Sequence, residues 1–192
     1  MYPITSIKTA SAAIGVLALA GTPVLAQHMT MHQPSTETAK TQVAVMTAEG
    51  QEAGTVTFEQ TRHGVTITAR LRNLSEGPHG FHIHETGACE PDFQAAGGHY
   101  NPLDAAHGFD SEGGYHVGDL PNIYVQADGT ATADFFAPQL ALTAKEDNSY
   151  PFTLQDHDGS AIMIHAKIDD YEQTPSGSTG DRVACGVIFP KN

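Results

Sequence analysis

The chain contains few basic residues. Lys and Arg together number 9 against 22 Asp and Glu, which gives a formal net charge of −13 over 192 residues. A chain with this balance repels polyanions. Nucleic acid and anionic membrane surfaces are therefore not expected as partners.

Tryptophan is absent, no segment has the apolar periodicity of a long helix, and no internal repeat is present. The chain is instead rich in Gly, with 19 residues, and its Thr and Val recur in short runs. This composition is typical of β-structure with many turns. The length suits one domain of ordinary size with a real hydrophobic core.

Residues 1–26 are typical of a secretory signal peptide. Lys8 gives a weakly positive start, residues 10–24 are small and apolar, and a Val-Leu-Ala cleavage site ends at Ala26, before Gln27. We therefore expect a periplasmic or secreted protein. Removal of this segment takes away Lys8 and leaves 8 basic and 22 acidic residues, a formal charge of −14.

A short transmembrane anchor is the alternative interpretation of this segment. The apolar run is brief for a membrane span, and Gly15, Gly21 and Pro23 interrupt it. No cysteine follows the cleavage site directly, which argues against a lipid anchor.

Residues 27–40 form a polar leader without periodicity. Two His and two Met lie close together in it, at His28, Met29, Met31 and His32. The simpler interpretation is a flexible tail in which these residues are incidental. The alternative is a segment that gathers copper, because thioether and imidazole ligands both suit that metal.

The only cysteines are Cys89 and Cys185. An exported chain can keep disulfides, and an even pair is most simply one bridge. It would close a loop of about 100 residues, for which chain-entropy estimates give at most about 4–5 kcal/mol of stabilisation.

Histidine is concentrated in residues 79–119. The potential metal ligands there are His82, His84, His99, His107, His116 and Asp119, and His165 lies further downstream. Imidazoles scattered over a loop serve no packing purpose, because a buried neutral ring must still satisfy two polar nitrogens. Their natural use is to hold metal ions.

Eight short segments show strand patterns. The clearest covers residues 65–71, where apolar residues alternate with Thr and Arg. The others lie at residues 43–45, 54–58, 79–85, 122–126, 130–136, 161–166 and 183–189. We predict an all-β domain over residues 41–192, an eight-stranded Greek-key sandwich or barrel in which two long loops form the metal site.

Two histidines share one face of the strand predicted at residues 79–85. Phe81 and Ile83 face the core, so His82 and His84 lie on the outer face. Residues two apart on a strand have Cα atoms roughly 6–7 Å apart. Both rings can therefore reach one ion beneath the Gly-rich loop that follows.

Four motifs occur in order along the chain. They are Gly-Phe-His-Ile-His-Glu at residues 80–85, Gly-His-Tyr-Asn-Pro at 98–102, His-Val-Gly-Asp-Leu at 116–120 and Arg-Val-Ala-Cys-Gly-Val-Ile at 182–188. Together with the cysteine pair they resemble the copper–zinc superoxide dismutases, in particular the exported bacterial type. The resemblance covers residues 41–189, nearly all of the chain after the leader.

The resemblance implies a role at each matching position. The copper ligands would be His82, His84, His99 and His165, and the zinc ligands would be His99, His107, His116 and Asp119. The remaining matches are Arg182 beside the open copper position, Asp169 as a carboxylate linking the two metal sites, His79 as a structural histidine, and Cys89 and Cys185 as the disulfide.

The protein implied by this resemblance is an oxidoreductase with one copper and one zinc ion per subunit. It would disproportionate superoxide to oxygen and hydrogen peroxide by copper redox cycling, with Arg182 holding the anion and His99 supplying a proton. The ligand chemistry agrees with this assignment. Three imidazoles and a carboxylate suit a closed tetrahedral zinc site, and an all-nitrogen site with one open face suits copper.

The loop at residues 169–181 departs from the eukaryotic pattern of the family, because it contains no Lys or Arg. The basic cluster that guides the substrate there is missing. We therefore expect a local positive field around copper, Arg182 and Lys167 to attract superoxide. If that field dominates, the rate falls as the salt concentration rises.

Other functions fit the sequence less well. A periplasmic copper or zinc carrier would need the ligands but neither Arg182 nor a shared His99. A zinc hydrolase needs an open zinc position and a general base, which a full set of three His and one Asp does not leave. The oligomeric state stays open, and barrel-edge or loop surfaces could build a homodimer.

Overall fold

The computed structural model describes residues 39–144, 152–172 and 175–192, which belong to the compact unit Thr36–Asn192. The predicted signal peptide and the His/Met cluster of the leader lie outside the described residues. Within the described ranges, no helix has the length and apolarity needed to cross a membrane.

Ten strands and one short 3-10 turn, Phe93–Ala96, are found in the described part of the chain. In chain order the strands are β1 (Lys40–Thr47), β2 (Glu52–Thr61), β3 (Gly64–Leu71), β4 (Gly77–His84), β5 (Asp119–Val125), β6 (Ala131–Ala137), β7 (Leu140–Ala141), β8 (Phe152–Thr153), β9 (Ser160–His165) and β10 (Arg182–Phe189).

Eight of these strands form one antiparallel sheet in the order β5-β4-β9-β10-β1-β2-β3-β6, and β7 and β8 pair in parallel beside it. The edge strands β5 and β6 follow one another in the chain across a tight turn, where Gly129 N–H donates to the Gln126 carbonyl at 2.9 Å. The two edges therefore meet, and the sheet nearly closes into a barrel. The predicted all-β, eight-stranded fold is confirmed.

The core lies inside this barrel and follows the period-two pattern of the strands. On β3, Val65, Ile67, Ala69 and Leu71 are buried, whereas Thr66 and Arg70 are exposed. Full burial of an aliphatic side chain contributes about 1.5–3 kcal/mol, so the inward faces of eight strands supply most of the driving force for folding.

Strand β9 is buried at all six positions because it is covered on both faces. Ile162 and Ile164 face the barrel core. Ala161 and Met163 face outward and pack with Cys185 in a second, smaller cluster. The outer face of the sheet is thus covered by loops at this point, and side chains placed there are shielded from water.

The register of three neighbouring strands brings distant residues together. On one side of β9, His82 of β4 lies opposite Met163. On the other side, Arg182 at the start of β10 lies opposite His165 at the end of β9. His82, His165 and Arg182, which the sequence predicted as site residues, therefore share one end of the sheet.

The loop between β4 and β5 folds back along β4. Tyr100 N–H donates to the Ile83 carbonyl at 2.8 Å, and Ile83 N–H donates to the Gly118 carbonyl at 2.9 Å. These bonds extend the sheet pairing into the loop. They fix the backbone next to His99 and Val117 against the strand that carries His82 and His84.

A disulfide joins the same loop to β10. Cys89 and Cys185 are bonded across a separation of 96 residues, which confirms the predicted pairing. Cys185 is almost fully buried, at 2% exposure, and packs against the outer face of β9. The bridge therefore closes a large loop of the chain and holds it on the sheet.

Replacement of both cysteines, Cys89→Ser with Cys185→Ser, should lower the free energy of unfolding by about 2–5 kcal/mol, because the unfolded chain regains the entropy of an open loop. Urea unfolding at a fixed metal content measures this. The oxidised wild-type protein, handled identically, is the reference. A loss below about 0.5 kcal/mol would contradict a stabilising role for the bridge.

Candidate metal centre

Four histidines converge over the outer face of β4 and β9. They are His82, His84, His99 and His165, and one ring nitrogen of each lies within 4.8 Å of the others. None is more than 6% exposed. The set is assembled from two strands and one loop, because His82 and His84 project from β4, His165 ends β9, and His99 comes from the loop paired with β4.

Each of these rings has one buried nitrogen without a hydrogen-bond partner. In the described part of the chain, the only such buried side-chain atoms are His82 Nδ1, His84 Nε2, His99 Nε2 and His165 Nε2. An unsatisfied buried polar group costs about 1–3 kcal/mol. Four of them in one place fit a metal ion that accepts four nitrogen lone pairs, and an all-imidazole set suits copper.

The second ring nitrogen of each of the two β4 histidines has an acceptor that orients the ring. His82 Nε2–H donates to Asp169 Oδ2 at 2.6 Å, and His84 Nδ1–H donates to the Gly97 carbonyl at 3.0 Å. The proton of each neutral ring is thereby placed on the outer nitrogen, so the inner nitrogen presents its lone pair.

A second donor set lies beside the first, formed by His99, His107, His116 and Asp119. Asp119 Oδ1 is 2.8 Å from His99 Nδ1, 3.1 Å from His107 Nδ1 and 3.2 Å from His116 Nδ1. Zinc bonds of about 2.0–2.1 Å in a tetrahedron place the ligand atoms roughly 3.3 Å apart. Three nitrogens and one carboxylate oxygen at these separations therefore fit zinc.

His99 belongs to both sets through its two different nitrogens. Its Nδ1 lies among the donors around Asp119, 3.2 Å from His116 Nδ1, and its Nε2 is the unpartnered atom of the four-histidine set. A single ring can therefore link two ions, as the sequence resemblance implied. The link requires the ring to lose both protons, which only two cations close together would sustain.

Asp169 joins the two sets from the outside. Its Oδ2 accepts from His82, and its Oδ1 lies 3.0 Å from His107 Nε2. The space around this carboxylate is tight, because a Cβ added to Gly177, which has φ +64°, would overlap Asp169 Oδ1 and lie 2.7 Å from His107 Nε2. His82, His107 and Asp169 are thus a hydrogen-bonded bridge whose outer nitrogens are already used.

Burial keeps the rings of the four-histidine set neutral. It lowers the pKa of His82 and His84, the pKa of His99 to about 4 and the pKa of His165 to about 2, because a charged ring there would lose its hydration. At neutral pH these rings therefore carry lone pairs rather than extra protons.

The electrostatics of the Asp119 set are different. Burial alone would raise the pKa of Asp119, but hydrogen bonds with His107, His116 and His99 hold it well below its usual range. Burial likewise opposes protonation of His107, yet its hydrogen bonds to Asp119 and Asp169 raise its pKa to about 9. Asp119 is therefore an anionic ligand at neutral pH, as a zinc site needs.

Arg182 lies at the opening above the four-histidine set. Its guanidinium donates to the Phe93 carbonyl at 2.6 Å and to the Gly97 carbonyl at 2.7 Å. The opening is a cavity of about 530 Å³ that His99, His165 and Arg182 line.

The rim of this opening is acidic. Glu85, Asp104 and Asp181 line it. Lys167 is exposed and its side chain lies next to Gly180, which also lines the opening. The positive charge near the site therefore comes from Arg182, from Lys167 and from whatever cations the donor sets hold.

All the site residues expected from the sequence are brought together in this region, and His79 is placed beneath it. His79 is buried, with Nδ1 2.6 Å from the His165 carbonyl and Nε2 2.8 Å from the Ser75 carbonyl, so it supports the end of β9. Two contributors were missed, the Gly97 carbonyl and the Thr179 hydroxyl, which lies 3.0 Å from His165 Nδ1. Neither has a signature in the sequence.

The lowered histidine pKa values predict a pH-dependent stability for chelator-treated protein. Between pH 6.5 and about 4 the unfolded chain binds more protons than the folded one at these rings, so the free energy of unfolding should fall as the pH falls. Each ring contributes up to about 1.4 kcal/mol per pH unit. The raised pKa of His107 acts in the opposite direction and only above pH 6.5, up to about 9.

Urea unfolding of chelator-treated protein at pH 7 and pH 5 tests this. The His99→Gln variant should show a smaller loss between the two values, because it lacks one of the buried rings, whereas His63→Gln, a change at an exposed ring, should behave as wild type. Equal stability at the two pH values would show that burial does not keep these rings neutral.

The sequence matches a known protein family and several named relatives. A family model described as copper/zinc superoxide dismutase (SODC) matches residues 52–188, more than half of the chain. The Cu-Zn superoxide dismutase of Caulobacter vibrioides is 42% identical over 146 residues, which cover 75% of this chain and 82% of that protein. The Cu-Zn superoxide dismutase of Legionella pneumophila is 44% identical over 136 residues, covering 70% and 76%.

Solved structures give the same result. A double mutant of a SOD-like protein from Bacillus subtilis is similar with a TM-score of 0.72 and 40% identity, covering 77% of this chain and 96% of that one. Cu/Zn superoxide dismutase from Brucella abortus is similar with a TM-score of 0.62 and 32% identity, covering 78% and 99%. The chain belongs to the copper/zinc superoxide dismutase family.

Proposed function

We propose that this chain disproportionates superoxide, with copper held by the four-histidine set and zinc held by the three histidines and Asp119. Two superoxide anions and two protons give one oxygen and one hydrogen peroxide. A relative from Bacillus subtilis with 39% identity is named only superoxide dismutase-like. What supports dismutation here is therefore the pair of complete donor sets sharing His99, with Arg182 at the opening.

The metals and the chain would contribute different parts of the reaction. When bound, copper supplies a one-electron carrier that alternates between two oxidation states, and zinc supplies a fixed positive charge on the shared ring. The chain's own tasks are to bind the anion, to orient the ligand rings and to provide protons next to the substrate.

Anion binding falls to Arg182. The carbonyls of Phe93 and Gly97 fix its guanidinium plane. These bonds use two of the five N–H donors of the group. The others remain available to a small anion in the opening, and a guanidinium stays charged at any physiological pH.

Proton supply falls to His99. Its Nδ1 lies within the Asp119 set, whereas its buried Nε2 faces the four-histidine set, and the His99 residue lines the opening. Nε2 is therefore the atom at which the chain can hold a proton beside the substrate and hand it to the nascent peroxide. Water at the open face supplies the second proton.

We also propose that the protein is exported to an oxidising compartment. The disulfide between Cys89 and Cys185 suits the periplasm or the cell exterior, where such bonds persist. The cleavage site predicted at Ala26 is consistent with this destination.

Substitution of the arginine tests the function directly. Arg182→Ala should leave copper and zinc contents unchanged and lower kcat/KM for superoxide by about tenfold to a hundredfold, because a hydrogen bond to a charged group contributes about 1.5–3 kcal/mol. Pulse radiolysis measures turnover, and elemental analysis measures the metals.

Arg182→Lys is the matched control, since it keeps the charge but loses the paired donors, and it should fall between wild type and Arg182→Ala. Azide affinity, followed optically at copper, separates anion binding from a general loosening of the loop. Failure of fully metallated wild-type protein to turn over superoxide would overturn the function.

The charges at the opening, an arginine and a rim of carboxylates, predict a salt-dependent rate. Wild-type turnover should fall with rising salt, because the local field around Arg182 attracts the anion. Asp181→Asn removes a rim carboxylate and should raise kcat/KM by about twofold at low salt, the effect of one unit charge acting through water at several ångströms.

The gain should vanish at about 0.5 M salt, where the screening length is only a few ångströms. Glu76→Gln removes an equal charge at the opposite end of β4 from His84 and should change the rate much less. A wild-type rate that rises with salt would show that the net negative charge of the chain dominates instead.

A further inference from the structure

Thr179 lies in the loop between β9 and β10 and is almost fully buried, at 1% exposure. Its hydroxyl oxygen is 3.0 Å from His165 Nδ1 and 2.9 Å from the Ser176 carbonyl. Thr179 lies outside the four sequence motifs, and neither donor set contains it.

The direction of these two hydrogen bonds follows from chemistry. A carbonyl oxygen only accepts, so the single hydroxyl proton of Thr179 is donated to Ser176. The oxygen must then accept from His165 Nδ1–H. This places the proton of the neutral ring on Nδ1 and leaves the lone pair on Nε2, the buried atom without a partner.

Thr179 is itself held in place on two sides. Its carbonyl accepts from Lys167 N–H at 2.9 Å, two residues beyond His165. Its methyl group fills the space over Gly80, where an added Cβ would lie 2.6 Å from Thr179 Cγ2 and 3.1 Å from His82 Cε1. The hydroxyl therefore cannot turn away without moving the loop or β4.

We propose that Thr179 is a positioning residue of the copper site, which orients His165 and strengthens it as a ligand by accepting its Nδ1 proton. The inference rests on the proposed copper site. The Gly180 carbonyl also accepts a hydrogen bond from the His165 ring. The Thr179 hydroxyl contributes to the orientation of the ring in addition, and this carbonyl does not replace it. An acceptor on the outer nitrogen raises the basicity of the inner one, which favours Cu(II) over Cu(I).

Thr179→Val is the sharpest test, because valine keeps the methyl group and the shape but cannot accept a hydrogen bond. In the copper- and zinc-loaded protein we expect Cu(II) affinity to fall about tenfold, the lower end for loss of an outer partner of a ligand. Cu(I) affinity should fall less, so the copper reduction potential should rise. The Cu(II) electron paramagnetic resonance spectrum should shift as the His165 ring reorients.

Thr61→Val is the matched control. Thr61 also donates to a carbonyl three residues away, that of Gly64, and accepts an N–H, but it ends β2 at the hairpin to β3. It should leave the affinity, the potential and the spectrum unchanged. Thr179→Ser keeps the hydroxyl and should restore wild-type values for all three.

The outcomes separate this inference from the proposed function. A Thr179→Val protein with wild-type affinity, potential and spectrum would overturn the role of Thr179 and leave dismutation standing. Wild-type protein that binds no copper at the four histidines would overturn both. Should Thr179→Val fail to fold, Thr179→Ser and Thr179→Ala decide in the same way, because both lack the methyl group and differ in the hydroxyl.

Discussion

The structure is organised around one requirement, that a single imidazole present its two nitrogens to two separate donor sets. His99 meets it because its backbone is fixed against β4 by the hydrogen bonds of Tyr100, while its ring lies between the four-histidine set and Asp119. Neither set can shift independently, since both would have to carry this ring along. The Asp169 bridge between His82 and His107 adds a second constraint of the same kind, outside the metals rather than between them.

Burial makes this arrangement both costly and specific. Four ring nitrogens without partners destabilise the fold by themselves, and the barrel core offsets that loss with apolar strand faces that point the other way. On the outer face of β9, apolar packing and the metal ligands are direct neighbours. Ala161 and Met163 pack under the disulfide loop, and His165 ends the same strand inside the metal centre. Small and flexible apolar residues thus let the loop approach closely enough to exclude water from the ligands.

What the sequence could predict depended on whether a local rule applied. The alternation of Phe81, His82, Ile83 and His84 follows the period of a strand, so one pair of ligands and their shared face were predictable from pattern alone. The concentration of histidine marked His107 and His116 as ligands, but they lie in a loop of irregular path, so only the family resemblance assigned them to zinc. Asp169 acts across more than sixty residues of sequence separation, so only the resemblance pointed to it. The Gly97 carbonyl could not be predicted at all, because every residue carries a carbonyl and only the folded loop selects one. The role of Thr179 was not predicted for a related reason, since a buried hydroxyl in a loop has no periodic signature.

That same Gly97 carbonyl connects the substrate-binding group to a metal ligand. It accepts from His84 Nδ1 and from the guanidinium of Arg182, so the ring that binds copper and the cation that binds the anion are oriented by one oxygen atom. Arg182 begins β10, and the disulfide holds the loop to the same strand three residues later. Attachment at two points on one strand resists rotation as well as translation of the loop, which a single attachment would allow. The covalent bridge therefore contributes to the geometry of catalysis through Arg182 and His84, beyond its effect on the stability of the fold.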